Sequence, residues 1–237
     1  MTKMASSAIT SKKVARRAAT PVAGAIAGII FAVLFAVSMT ILRQTVGDAA
    51  HDTGAWLSGD TGLFKFALAL VPFAGLAFLW FIAVARERLG RFEDQFFSTV
   101  FIGSGLLFLA MVFAAAATAG AIVAAAANDP AGFASSTTYT YARQAVTQIL
   151  AVYALRMAAI FQLSQASLWV RTRVMPRWMA LITVIVALVL LFVFTQSFWV
   201  VLVFPAWVLL VSVYILVETL RGRPASVESG TPVGTAS

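Results

Sequence analysis

The chain contains no cysteine, one histidine and nine carboxylates in 237 residues. The missing thiols exclude a disulfide scaffold, a cysteine nucleophile and a thiolate metal site. Charged side chains supply only 11% of the sequence, whereas a soluble domain carries about 25%. That is too little charge to cover a water-exposed globule. Apolar residues take up the difference, at 61% of the chain, and the mean hydropathy is +0.94. The composition excludes a disordered chain and describes a membrane protein.

Six apolar stretches reach the roughly 20 residues that a helix needs to cross a bilayer. They lie at 21–42, 64–85, 97–126, 142–168, 178–195 and 198–220. The expected fold class is therefore all-α, a six-transmembrane-helix bundle over 21–220 with no room for a separate soluble domain. Thr195-Gln196-Ser197 alone separates the last two spans, which dictates a tight hairpin. Residues 1–20 and 221–237 are rich in Ala, Ser, Thr, Gly and Pro, and both are expected to be disordered tails. No fixed-period repeat and no inverted pair of segments is visible.

Lys and Arg decide the expected orientation. The first tail, the 2–3 and 4–5 loops and the last tail hold thirteen of the seventeen basic residues, among them Lys12, Arg16, Arg88, Arg173 and Arg223. The opposite side holds Arg43, Lys65 and Arg143 with Asp48, Asp52, Asp60 and Asp129. Both termini are thus expected in the cytoplasm of a multi-pass plasma-membrane protein. The net charge of +8 is spread over juxtamembrane loops, where anionic headgroups attract each basic residue by roughly 1 kcal/mol. Membrane lipids are the expected partners and nucleic acid is not. The long first span, with no clear cleavage site after it, reads as a retained signal anchor. Trp56, Trp80, Trp169, Trp178 and Trp199 fall near the expected interfaces, while Trp207 lies deep in the sixth span.

Arg86, Glu93-Asp94, Phe96-Phe97 and Phe101-Ile102-Gly103-Ser104-Gly105-Leu106-Leu107, with Leu168-Trp169-Val170-Arg171-Thr172 and Val174-Met175-Pro176-Arg177-Trp178, form a pattern over the middle half of the chain. In these motifs the sequence resembles a family of uncharacterised actinobacterial polytopic integral membrane proteins. The resemblance implies a helical protein of the plasma membrane and brings no activity, substrate or catalytic residue with it.

No catalytic constellation can be assembled. His51 has Asp48 and Asp52 nearby, but a metal site needs three or four converging ligands, so no metal is expected. One histidine also cannot supply both axial ligands of a haem, and no cofactor is expected. Ser104 between two glycines lacks the adjacent base that a nucleophile requires, so close helix packing is the better reading. Gly24 and Gly28 have GxxxG spacing, which suits packing inside the monomer or between subunits equally. The spans carry no interior carboxylate, which argues against a carboxylate-coupled pump.

The fourth span is unusual. It holds Gln144, Thr147, Gln148, Arg156, Gln162, Ser164, Gln165 and Ser167. At 100° per residue Gln144, Gln148 and Gln162 fall within about 40° of one another. Such a stripe is expected to face the bundle interior or a water-filled cavity. Arg156 lies roughly 20 Å from both Arg143 and Arg171 along the helix, near the midplane, and no carboxylate shares its depth.

Two readings of Arg156 stay open. Pro72 and Pro205 free the carbonyls of Leu68 and Val201, which the guanidinium could satisfy, with Trp207 adding a cation–π contact. Alternatively Arg156 receives an anion, with Gln148 and Gln162 as hydrogen-bond partners. Arg156, Gln148, Gln162 and Trp207 are therefore the candidate ligand-binding residues. The expected function is a non-enzymatic accessory, scaffold or lipid-binding component of an envelope system, with a protein partner or homo-oligomer. The alternative is a small transporter or channel for an anionic or amphipathic solute, with Arg156 in its path.

Overall fold

The computed structural model describes residues 2–46, 52–89, 95–172, 175–192 and 198–221. His51, Asp48, the 90–94 part of the 2–3 loop, the 195–197 hairpin and the second tail lie outside them. Among the described residues every regular element is a helix. They are α1 (Thr2–Val46), α2 (Gly62–Leu89), α3 (Gln95–Ala125), α4 (Pro130–Ala134), α5 (Thr137–Gln148), α6 (Leu155–Thr172), α7 (Arg177–Phe192) and α8 (Phe198–Arg221). A 3₁₀ turn covers Ala55–Ser58, and a π-helical segment, Ile149–Ala154, joins α5 to α6. The fourth span is thus one long rod, Thr137–Thr172, rather than 142–168.

Five helical stretches are long and apolar enough to cross a membrane, and α7 is a sixth, shorter apolar helix. At 1.5 Å per residue its 16 residues reach about 24 Å, with 193–197 outside the described residues. The first tail departs from expectation. Helix α1 begins at Thr2, because Ala, Lys, Arg and Met in that segment are strong helix formers and continue the first span backwards.

Helix α1 packs along α2 on one side and α8 on the other, and α6 lies between α3 and α7. Gly24 and Gly28 make the first contact possible. A Cβ at Gly24 would collide with the Val84 side chain, and one at Gly28 with Ser212 Oγ and the Phe81 ring. The GxxxG spacing therefore serves packing inside the monomer, where the backbones of α1, α2 and α8 approach closely.

The interior they enclose is aromatic. Phe78 of α2 touches Phe31 (4.7 Å between centroids), Phe108 (5.4 Å), Phe161 (5.4 Å) and Phe204 (5.7 Å), which come from α1, α3, α6 and α8. Five helices thus meet at one ring. Offset and edge contacts of this kind each contribute about 0.5–1.5 kcal/mol beyond burial.

A second, smaller cluster closes the end of the bundle where α1 joins α2 and α3 joins α5, here called the loop end. Leu57, Phe64, Ile122, Val123 and Tyr139 pack there. Tyr139 donates its hydroxyl proton to Asp52 Oδ2 (2.5 Å) and accepts from Trp56 Nε1 (3.2 Å). Asp52 also accepts the Gly54 N–H at 2.8 Å. Gly54 sits at φ +75°, and a Cβ there would collide with Ala134 and crowd the Tyr139 ring, a conformation and a clearance that suit glycine. Asp129 and Ser136 accept N–H groups at the starts of α4 and α5, from Gly132 and Tyr139, supplying the caps those helices need. The described part of the 1–2 loop, from Asp52 onward, is therefore folded onto the 3–4 connection.

Candidate functional site

The polar residues of the fourth span are divided by the π segment. A turn closed by i→i+5 bonds holds one more residue than an α turn, and that residue rotates everything beyond it by about 100°. The stripe drawn on a uniform helix does not survive this rotation. Gln144 and Gln148, before the segment, are exposed, whereas Gln162, beyond it, is fully buried. Following the actual winding, the exposed line runs Tyr141, Gln144, Gln148, Tyr153, with steps of three, four and five residues. The five-residue step crosses the π segment.

Arg156 follows directly and is half-buried. Its Nη1 donates to the Val152 carbonyl at 2.9 Å, an oxygen that also accepts the Leu155 N–H. The acceptor belongs to its own span, where the π segment ends. In this bond the guanidinium holds a carbonyl of its own irregular segment, whereas the expected acceptors were the carbonyls of Leu68 and Val201 freed by Pro72 and Pro205. Both prolines do lie inside their helices, α2 and α8.

Trp207 is buried, and its Nε1 donates to Thr183 Oγ1 at 2.9 Å. Its ring stacks on Phe204 at 5.9 Å and meets Phe161 at 6.4 Å and Trp169 at 6.3 Å. The indole thus fastens α8 to α7 and to α6. Thr183 donates in turn to Met179 O at 2.8 Å, so this chain of hydrogen bonds is complete.

Gln162 is different. It has no exposure, and neither its amide nitrogen nor its oxygen has a partner. The Gln165 side-chain oxygen one turn on is likewise buried without one.

The chain matches no family model, no curated protein and no solved structure.

Of the four candidate residues, the structure puts Gln148 on the surface, Arg156 at the π–α junction, and Gln162 and Trp207 inside. They do not form one pocket. Ser104 donates to the carbonyls of Val100 (2.6 Å) and Phe101 (3.1 Å) of its own helix. Beside it, a Cβ on Gly105 would meet Ile82 and Phe161; the glycine–serine–glycine segment packs α3 against its neighbours. Among the described residues no three His, Asp or Glu side chains gather as metal donors. Sequence reasoning missed the Asp52–Tyr139–Trp56 cluster, although Asp52, two residues before Gly54, is the pattern of an Asx turn.

Proposed function

We propose that this polytopic membrane protein is a non-enzymatic accessory or scaffold subunit, and that it holds a partner along the outward polar line of its fourth span. The observation that carries this reading is Gln148. It is exposed and lies only about 12 Å along the helix from Arg156, inside the thickness of the hydrocarbon. An amide facing lipid tails leaves donors and acceptors unpaired, and a second protein surface removes that cost. Tyr141 and Tyr153, 76% and 57% exposed, add aromatic area beside it, of the kind that anchors interfaces. Interhelical hydrogen bonds in membranes are modest, about 0.6 kcal/mol on average, so the tyrosines supply area while the glutamines fix register.

The test places a photocrosslinking amino acid at Gln148 or at Leu76, a lipid-facing control on α2, in native membranes. The reading expects one discrete protein adduct from position 148 and lipid adducts from position 76. Lipid adducts alone from both positions would overturn it.

The same reading includes an orientation. The basic residues support both termini lying in the cytoplasm of a plasma-membrane protein. Single cysteines at Ser7, Gln95 and Ser229 should then resist an impermeant thiol reagent in intact cells, and one at Ser58 should react. Labelling at Gln95 without labelling at Ser58 would reverse the topology.

A transporter for anionic or amphipathic solutes is the second reading. What supports it is Arg156 alone, a half-buried cation near the middle of the long fourth span. Flux of an organic anion into liposomes containing only this protein, lost in Arg156→Met, would establish it; tight liposomes would dismiss it.

A further inference from the structure

Thr172 and Arg177 flank the turn between α6 and α7, so residues equally far from that turn lie level. Gln162 is level with Ala187, and Gln165 with Val184, next to Thr183. Trp207 meets Phe161 on one side and Trp169 on the other, which puts it at the height of Gln165. Three helices thus contribute to one layer of the bundle: Gln162 and Gln165 from α6, Thr183 from α7 and Trp207 from α8. The indole N–H of this layer is spent on Thr183 Oγ1, whose own proton goes to the Met179 carbonyl. The Gln162 amide and the Gln165 oxygen have no such partner.

Full burial of Gln162 prevents an outside partner, whether lipid headgroup or second chain, from reaching it. What satisfies it must be enclosed, small, and able both to donate and to accept hydrogen bonds. Buried waters have these properties, typically making about three hydrogen bonds to otherwise unsatisfied groups. We propose that Gln162 and Gln165 form an internal water-binding site between α6, α7 and α8. A bound water accepts from Gln162 Nε2 and donates to Gln162 Oε1 or Gln165 Oε1. This site lies inside the bundle, apart from the outward line, and does not depend on the partner reading.

Bound water can be read by X-ray radiolytic labelling, in which hydroxyl radicals form in place and modify adjacent side chains. The full chain in lipid nanodiscs is exposed, and modification is followed at Phe161 and Trp207. Phe31, equally buried in the aromatic core, gives the dry background, and exposed Trp199 gives the solvent reference. The site predicts labelling of Phe161 or Trp207 severalfold above Phe31, because the radicals form beside those two rings and not beside the dry one. Gln162→Leu should return that labelling to background while Trp199 is unchanged. Gln165→Leu provides the same comparison if the first variant does not fold. Labelling of Phe161 and Trp207 no faster than Phe31 would overturn the proposal. So would labelling that persists in both variants, since the water would then be held by other groups.

Discussion

Helices α5 and α6 belong to one continuous rod and both carry glutamines, yet they use them in opposite ways. Gln144 and Gln148 of α5 point away from the bundle, and Gln162 and Gln165 of α6 are sealed within it. The residue type is the same and the separation is only a few turns. What differs is the winding between them, Ile149–Ala154. One irregular segment lets a single span present a polar face to a neighbour and another to the core, which a uniform helix with this sequence would have merged into one stripe.

The strongest way to break this contrast is to remove the extra residue. Deleting Ala151 should restore a regular helix and turn α6 by about 100°. Phe161 would leave the aromatic core, and Gln162 would move toward lipid. Accumulation should collapse, or the midpoint of thermal unfolding in detergent should fall by about 10 °C or more, the scale of several kcal/mol in a chain this long. An alanine inserted after exposed Gly59 in the 1–2 connection is the control and should cost far less. Equal damage from both changes would deny the π segment its role.

Next in size comes the inward face itself. Phe161→Ala opens a cavity beside Phe101, Phe78 and Trp207 and should cost about 3–5 kcal/mol. Tyr153→Ala on the outward face should stay within about 0.5 kcal/mol. Denaturation of the purified variants compares the two directly, and similar losses would contradict the assignment of faces.

Gly28→Val is a smaller perturbation, at the other side of the core. Its side chain would meet Ser212 and Phe81, and overpacking of this kind costs about 1–3 kcal/mol. If the GxxxG face served a contact between subunits, Gly28→Val would change oligomeric state in detergent sizing and leave monomer stability alone. The structure predicts the reverse.

Much of this fold is legible in composition and run length. The scarcity of charge and the apolar stretches locate the spanning segments, because a bilayer imposes length and polarity on each span independently of its neighbours. They do not show that α1 begins at Thr2, that the fourth span begins at Thr137 or that Pro130–Ala134 is helical. The polar fourth span also stands out. The division of its stripe does not, since Ile149-Leu150-Ala151-Val152-Tyr153-Ala154 contains no proline or glycine to announce an irregular turn. Arg156 illustrates the same gap. Its charge and depth are visible in the sequence, while the Val152 carbonyl that accepts from its Nη1 lies in the irregular segment that the sequence does not announce. The loop-end cluster was hidden for another reason: Asp52 and Tyr139 are 87 residues apart, and no local pattern connects them.

Apart from the outward-face control Tyr153→Ala, Arg156→Met should have the smallest effect of the series. It removes one charge-assisted bond to the backbone, worth about 1.5–3 kcal/mol, and relieves the cost of holding a charge at that depth, so the terms partly cancel. A shift of a few degrees, unchanged by organic anions or anionic lipids, would assign the residue to the backbone junction. Stabilisation by an anion in the native protein alone would assign it to a ligand.

The two-faced winding can be measured in one experiment. The native chain has no cysteine, so single spin labels can be placed from Tyr141 to Ser167 in lipid-rich liposomes, and oxygen accessibility read at each position by electron paramagnetic resonance. The account predicts two helical waves separated by a phase break across 149–154, with maxima at 141, 144, 148 and 153 and a minimum at 162. A single unbroken wave of period 3.6, with positions 148 and 162 rising and falling together, would contradict it.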